Sequence, residues 1–193
     1  MNGIIIVDKP QNYTSFDIIA ILRKKFNQKK IGHMGTLDPM ATGVLPVLLG
    51  DTAKFQIFTE NKDKEYIAKM EFGLTTDTLD STGNILSTSN QKVTEKNFLK
   101  TIQGFLGKIK QIPPMFSAIK QNGKKLCDLA RKGIEVERKE REVNIKNIDV
   151  ISFDEENQTA VVKVKCSAGT YIRTLCSDIG NVLGCGATMT ELR

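Results

Sequence analysis

Residues 32–43, "GHMGTLDPMATG", hold three glycines, the carboxylate of Asp38, Pro39 and the only histidine of the chain, His33. A proline in the next position drives Asp38 out of helical backbone and into an extended conformation. Gly32, Gly35 and Gly43 permit sharp turns and the close approach of another backbone. Such a turn can hold one carboxylate at the bottom of a cleft, where an ionised oxygen can act as a nucleophile. The simpler alternative is a turn in which Asp38 only caps neighbouring amides.

A second segment, "CSAGTYIRTLCSDIGNVLG" (166–184), bears on that choice. A strand ends at Cys166, a glycine-containing turn follows, and Tyr171 and Arg173 stand at the start of a helix. Burial alone pushes a carboxyl group toward its neutral, unreactive form, whereas a nearby guanidinium favours the ionised one. A nucleophilic aspartate in a dry pocket therefore needs an arginine, and Arg173 is the candidate.

The elements that must position these groups read as a mixture. "GIIIVDKP" is a short strand stopped by Pro10, and Thr14 or Ser15 caps a helix bearing Ile18, Ile19, Ile21, Leu22 and Phe26. "VLPVLLG" is apolar but interrupted by Pro46, which suggests an irregular buried segment or short strand. "DTAKFQIF" can begin a helix. In "KEYIAKMEFG", Tyr66, Ala68, Met70 and Phe72 share one face of a strand. "TTDTLDSTGN" is a loop, and Thr94 caps a helix reaching Phe105. "KIKQIPP" is a strand, and "KKLCDLARKG" a short helix closed by Gly133. Strand-like runs at 134–138, 143–153 and 159–166 precede a helix over 172–183 and a last strand in "GATMTELR". With no βαβ alternation, this is an α+β chain with a mixed, mainly antiparallel sheet.

Length and composition set further bounds. The 193 residues suit one substantial domain, or one domain with a small appendage. No run approaches the length of a membrane span, and "GIIIV" is too short for a signal-peptide core, so a cytoplasmic protein is expected. The four cysteines form no C-x-x-C pair, and one histidine cannot complete the usual zinc set; buried free thiols are expected. The net charge of +6 suits a polyanionic partner. Basic residues gather in "RKKFNQKK" (23–30) and at Lys120, Lys124, Lys125, Arg131 and Lys132, though each cluster also suits a solvated face.

Residues 32–54, "GHMGTLDPMATGVLPVLLGDTAK", resemble the signature of the bacterial TruB-type tRNA pseudouridine synthases. The likeness continues in order through "DKPQNYTSFD", "KEYIAKMEFGLTTDTLDSTG", "IPPMFSAIKQNGKKL" and "CSAGTYIRTLCSDIGNVLG". It implies a pseudouridine synthase fold, a central mixed, mainly antiparallel sheet flanked by helices. Residues 1–193 would form the catalytic domain, without the family's C-terminal RNA-binding domain. It implies isomerisation of the T-loop uridine of tRNA after base flipping, with Asp38 as the catalytic aspartate. Arg173 would pair with Asp38, Tyr66 would stack on the extruded uracil, and Tyr171 and Leu192 would line the pocket. His33 would enter the RNA beside the flipped base. Lys9 and Asp80 are further candidate RNA-binding residues, although Lys9 could instead brace the motif turn and the Asp77–Asp80 loop could be structural. The chemistry needs no metal or organic cofactor. The partner expected is the T-arm of tRNA, met by a monomer.

The chain departs from the family pattern at Cys127, where a tyrosine is usual, and at Asn12, where glycine is frequent and asparagine tolerates the same left-handed turn. Two other readings stay in view. One is a non-catalytic RNA-binding or tRNA-folding module using the same basic cleft. The other is a glycoside hydrolase with Asp77 or Asp80 as a second carboxylate, disfavoured because the chain has no tryptophan for a sugar platform. A P-loop is excluded because "GVLPVLLGDT" lacks the G-K-[ST] ending.

Overall fold

In "GIIIVDK" the exposed positions alternate with less exposed ones, the mark of a strand that buries one face, and the segment forms β1 (Gly3–Lys9). The computed structural model describes residues 1–58 and 63–193. Two compact units divide the chain: Met1–Asp63 with Glu191–Arg193, and Lys64–Thr190.

In the first unit, α1 (Ser15–Phe26) starts at a capping box. Thr14 Oγ1 accepts from the Asp17 amide at 3.0 Å, while the Asp17 carboxylate accepts from the Thr14 amide at 2.8 Å. Two otherwise orphaned amides are thereby satisfied. Strands β2 (Ile31–His33) and β3 (Gly43–Leu49) complete an antiparallel sheet in the order β1-β3-β2. Ile18 and Ile19 of α1 pack with Ile31, Leu45, Val47 and Leu49 of the sheet as the core of this unit.

Pro46 does not break β3, which runs as a regular strand, contrary to the irregular alternative. It pairs with Ile6 of β1, and on the other side its carbonyl accepts from the Met34 amide at 2.9 Å. Having no N–H, it cannot return that bond, and the β2 ladder stops at His33. The chain is thereby released into the turn that carries Asp38. After β3, residues Gly50–Phe58 form a 3₁₀ helix, tighter than the α-helix expected.

The second unit is built on a five-stranded sheet in the order β12-β4-β11-β10-β7. Its strands are β4 (Lys64–Phe72), β7 (Gly107–Gln111), β10 (Arg141–Asp154), β11 (Thr159–Cys166) and β12 (Ala187–Leu192). A hairpin of β5 (Leu74–Thr76) and β6 (Ile85–Thr88) flanks the loop read as "TTDTLDSTGN". A smaller hairpin pairs β8 (Lys120–Gln121) with β9 (Lys124–Lys125). The helices are α2 (Glu95–Gln103), capped by Thr94, α3 (Leu126–Ala130) and α4 (Ile172–Leu183).

Tyr66, Ala68, Met70 and Phe72 do share the more buried face of β4. Phe72, Phe98 and Phe153 meet with ring centroids 5.5–5.9 Å apart, tying β4, α2 and β10 together. Residues 134–138, expected as a strand, form none. Their apolar–charged alternation finds no ladder, and Arg138 anchors the segment by donating to the Pro113 carbonyl at 3.2 Å and to Glu135. Cys166, Cys176 and Cys185 are buried and Cys127 is partly exposed, each outside any disulfide. Among the described residues no helix is long and apolar enough to cross a membrane.

Phe98 is fully buried at the centre of its ring cluster. Phe98→Ala is expected to lower unfolding stability by about 3–5 kcal/mol in urea titrations; a loss below about 1 kcal/mol would contradict this packing. On α4, burial pushes Asp178 up to about 6. The folded state therefore binds the extra proton between an ordinary 3.8 and about 6, and stability drains away as pH rises through that window. Asp178→Asn should match the native protein near pH 3.5 and become the more stable of the two by pH 7. Denaturant midpoints across that range would read the crossover.

Candidate active site

In the first unit the motif turn is tied down at each side of Asp38. Ser15 Oγ receives the Leu37 amide at 3.0 Å and donates to the Leu37 carbonyl at 3.3 Å. The Asp38 carbonyl accepts from the Ala41 amide at 3.0 Å, closing a turn with Pro39 in its second position. The Pro39 carbonyl accepts from the Asn12 amide at 2.8 Å. Asn12 has φ +67°, so the residue that replaces the family's usual glycine keeps the left-handed backbone. Asp38 itself is half-buried.

Lys9 is 0% exposed, and its ammonium donates to the carbonyls of Pro10 (2.9 Å), Tyr13 (2.6 Å) and Pro39 (3.2 Å). All three donors of the group are thus used within the protein. Lys9 therefore braces the turn, the structural one of the two roles considered for it. Burial lowers its pKa, and the negative charges of Asp38 and Asp17 pull the other way. The charge of Asp38 is thus felt at Lys9.

His33 ends β2 half-buried, its Nδ1 lying against the Gly35 carbonyl. A carbonyl only accepts, so Nδ1 carries the hydrogen in this geometry. Leu192 is buried, and its carbonyl accepts from the Thr42 amide at 2.9 Å. Gly43 has φ +114°, and a side chain there would press on Arg193. Arg193 in turn forms a bidentate pair with Asp8 at 2.9 and 3.1 Å.

The second unit holds Tyr66, Asp80, Tyr171 and Arg173. Arg173, in the first turn of α4, is 5% exposed. Its Nη1 donates to Asp80 Oδ2 and the Thr78 carbonyl, each at 3.4 Å, and its Nη2 to the Phe116 carbonyl at 2.9 Å. Asp80, 3% exposed, also accepts through Oδ1 from Thr78 Oγ1 (2.8 Å), Thr82 Oγ1 (2.6 Å) and the Thr82 amide (3.0 Å). An inward carboxylate with this many partners orders the loop and holds an arginine, which fits the structural reading of the Asp77–Asp80 loop. Gly83 is required at its position because any Cβ there would collide with Asp77 and Thr78. Asp77 is occupied by the amide and side chain of Asn84.

Tyr66 lies half-buried on β4 opposite Val164. Tyr171 is the N-cap of α4, yet no side chain of its own caps the helix. Gln111 instead holds the main chain of the N-cap residue itself: its Oε1 accepts from the Tyr171 amide at 3.0 Å and its Nε2 donates to the Tyr171 carbonyl at 3.2 Å. Sequence reasoning passed over both Gln111 and the Ser15–Leu37 link. A glutamine before "IPP" carries no local sign that its partner lies 60 residues away. The basic residues Lys120, Lys124, Lys125 and Lys132 gather around a cavity of about 390 Å³ beside α3.

The chain matches the model of the TruB family pseudouridylate synthase N-terminal domain over residues 23–172. Residues 173–193 match that of the tRNA pseudouridylate synthase B C-terminal domain. It is 54% identical over 193 residues to tRNA pseudouridine synthase B of Clostridium tetani and 46% identical to that of Clostridium kluyveri. In both comparisons the whole chain is covered, but it spans only 66% of the relative's length. Among solved structures, a chain of a Cbf5-Nop10-Gar1 complex superposes with a TM-score of 0.76 at 32% identity, over 99% of this chain and 47% of that one. A chain from an H/ACA RNP bound to a substrate RNA containing 2′-deoxyuridine gives 0.72 at 29% identity, over 99% and 46%. The α+β sheet expected from the strand pattern is the fold of these pseudouridine synthases. A family match over residues 23–172 and likeness along the full chain lead to one conclusion: the chain belongs to the TruB family of pseudouridylate synthases.

Proposed function

We propose that this chain carries the catalytic part of a tRNA pseudouridine synthase that isomerises the T-loop uridine to pseudouridine. The observation that carries the reading is the 46–54% identity, along the entire chain, to proteins named tRNA pseudouridine synthase B. The geometry supports it. A single carboxylate, Asp38, stands in a non-helical turn braced on both sides, with the buried Lys9 ammonium holding the Pro39 carbonyl.

In this reading Asp38 acts as the nucleophile at the target nucleotide and the C1′–N1 bond breaks; the uracil turns, C1′ bonds to C5 as the bond to Asp38 is released, C5 gives up its proton and N1 takes one up. Arg173 supplies the guanidinium that keeps the aspartate reactive, Tyr66 stacks on the uracil, and Tyr171 and Leu192 line the pocket. His33 fills space vacated by the flipped base. Extracting a base from a folded loop costs a few kcal/mol. Lysine contacts to phosphates, including those around α3, offset it. The substrate is the T-arm of tRNA, met in the cytoplasm by a monomer without metal or organic cofactor. The second reading, an RNA-binding or tRNA-folding module, rests on the same basic surface without the chemistry.

Tritium at C5 of uridine is released when C5 bonds to the sugar, so the reaction can be read on labelled tRNA with the full-length protein. Asp38→Asn is expected to lower release by at least about 10³-fold while still binding tRNA. Binding without release by either protein would decide for the module. His33→Ala should lose about 10-fold in turnover and keep measurable activity; complete loss would show that the imidazole does more than fill space.

A further inference from the structure

We propose that Gln111 is a positioning residue for the reaction, fixing the main chain of Tyr171 and thereby where α4 presents Arg173. The inference rests on the function proposed above. Gln111 is 1% exposed and ends β7, where it pairs with Arg141 of β10. Its amide makes both hydrogen bonds that a neighbouring strand would make with Tyr171, one accepted and one donated. The Tyr171 carbonyl also accepts from the Leu175 amide at 3.0 Å, the first bond of the helix. The clamp thus grips the residue from which α4 is propagated, two positions before Arg173.

β7 acts on Arg173 by a second route. Ile112, Pro113 and Pro114 carry the chain from Gln111 toward Phe116, whose carbonyl receives Arg173 Nη2 at 2.9 Å. Backbone on one side and side chain on the other are therefore referred to the same strand end. A primary amide supplies a donor and an acceptor side by side without charge at every working pH. Methionine fills the volume and offers neither. Glutamate offers both in its acid form and loses the donor when ionised.

The test compares Gln111→Met, Gln111→Glu and Arg173→Lys, alone and combined, in single-turnover and steady-state tRNA assays on the full chain. For Gln111→Met, kcat should fall about 10–100-fold with KM for tRNA within about threefold, because position rather than binding is lost. Combined with Arg173→Lys it should cost nothing further, since both act through one guanidinium. For Gln111→Glu, the rate relative to the native protein should recover as pH falls and the buried acid takes up its proton. Multiplying losses in the double variant, an effect confined to KM, or a relative rate indifferent to pH would each overturn the proposal.

Amide hydrogen exchange at Tyr171 separates the two levels of the inference. Faster exchange in Gln111→Met supports the clamp, and unchanged exchange removes it. A native protein that makes no pseudouridine overturns the catalytic role, whatever Tyr171 shows.

Discussion

Backbone that leaves regular structure inside a protein must still have its amides and carbonyls met, and Asp38 lies on such backbone. The Asp38 turn belongs to no ladder, so side chains do the work of neighbouring strands. The Lys9 ammonium collects three carbonyls, and Ser15 takes both main-chain groups of Leu37. In the second unit Gln111 does the same for Tyr171, and Asp80 for the Thr78–Thr82 loop. Each of these polar side chains is buried, and each is spent on holding another residue in place.

Burying charge is costly unless it is compensated, and the compensation differs between the two units. The hydrogen bonds of Lys9 go to three carbonyls, whose dipoles solvate it, while the charges of Asp38 and Asp17 also act on it. Arg173 has a buried carboxylate in Asp80 together with two carbonyls, an arrangement that uses the planar fork of the guanidinium. An ammonium can be rotated to suit three scattered acceptors, whereas a guanidinium imposes its own geometry on what surrounds it. The lysine is thus suited to gathering a loop, and the arginine to being aimed.

Much of this fold was legible because its elements repeat a period. The facing residues of β4, the Thr14 cap of α1 and the extent of α4 all follow from spacing along a short window. What stayed hidden is what spacing does not encode. The β2 strand is three residues long in a glycine-rich run, and the β8–β9 hairpin two residues a side. Residues 134–138 alternate like a strand but have no neighbour to pair with. At the site, residue type nominated Asp38 and Arg173, since few groups can be a nucleophile or keep one ionised. Type left Lys9 and Asp80 open between an RNA contact and a structural role, because a charge in a sequence says nothing of whether it faces water or carbonyls. Gln111 could not be seen at all, its meaning lying wholly in a contact across 60 residues.

Pro46 sets a limit on how the first unit can vary. Its carbonyl already holds Met34, and its absent hydrogen leaves that bond unreturned, just before Gly35 turns the chain away at φ +85°. Any other amino acid here would restore the lacking donor and allow one more rung at Met34. Less chain would then be left for the following turn. An imino acid in a central strand, ordinarily a flaw, serves as a stop that keeps chain length available for a reactive loop.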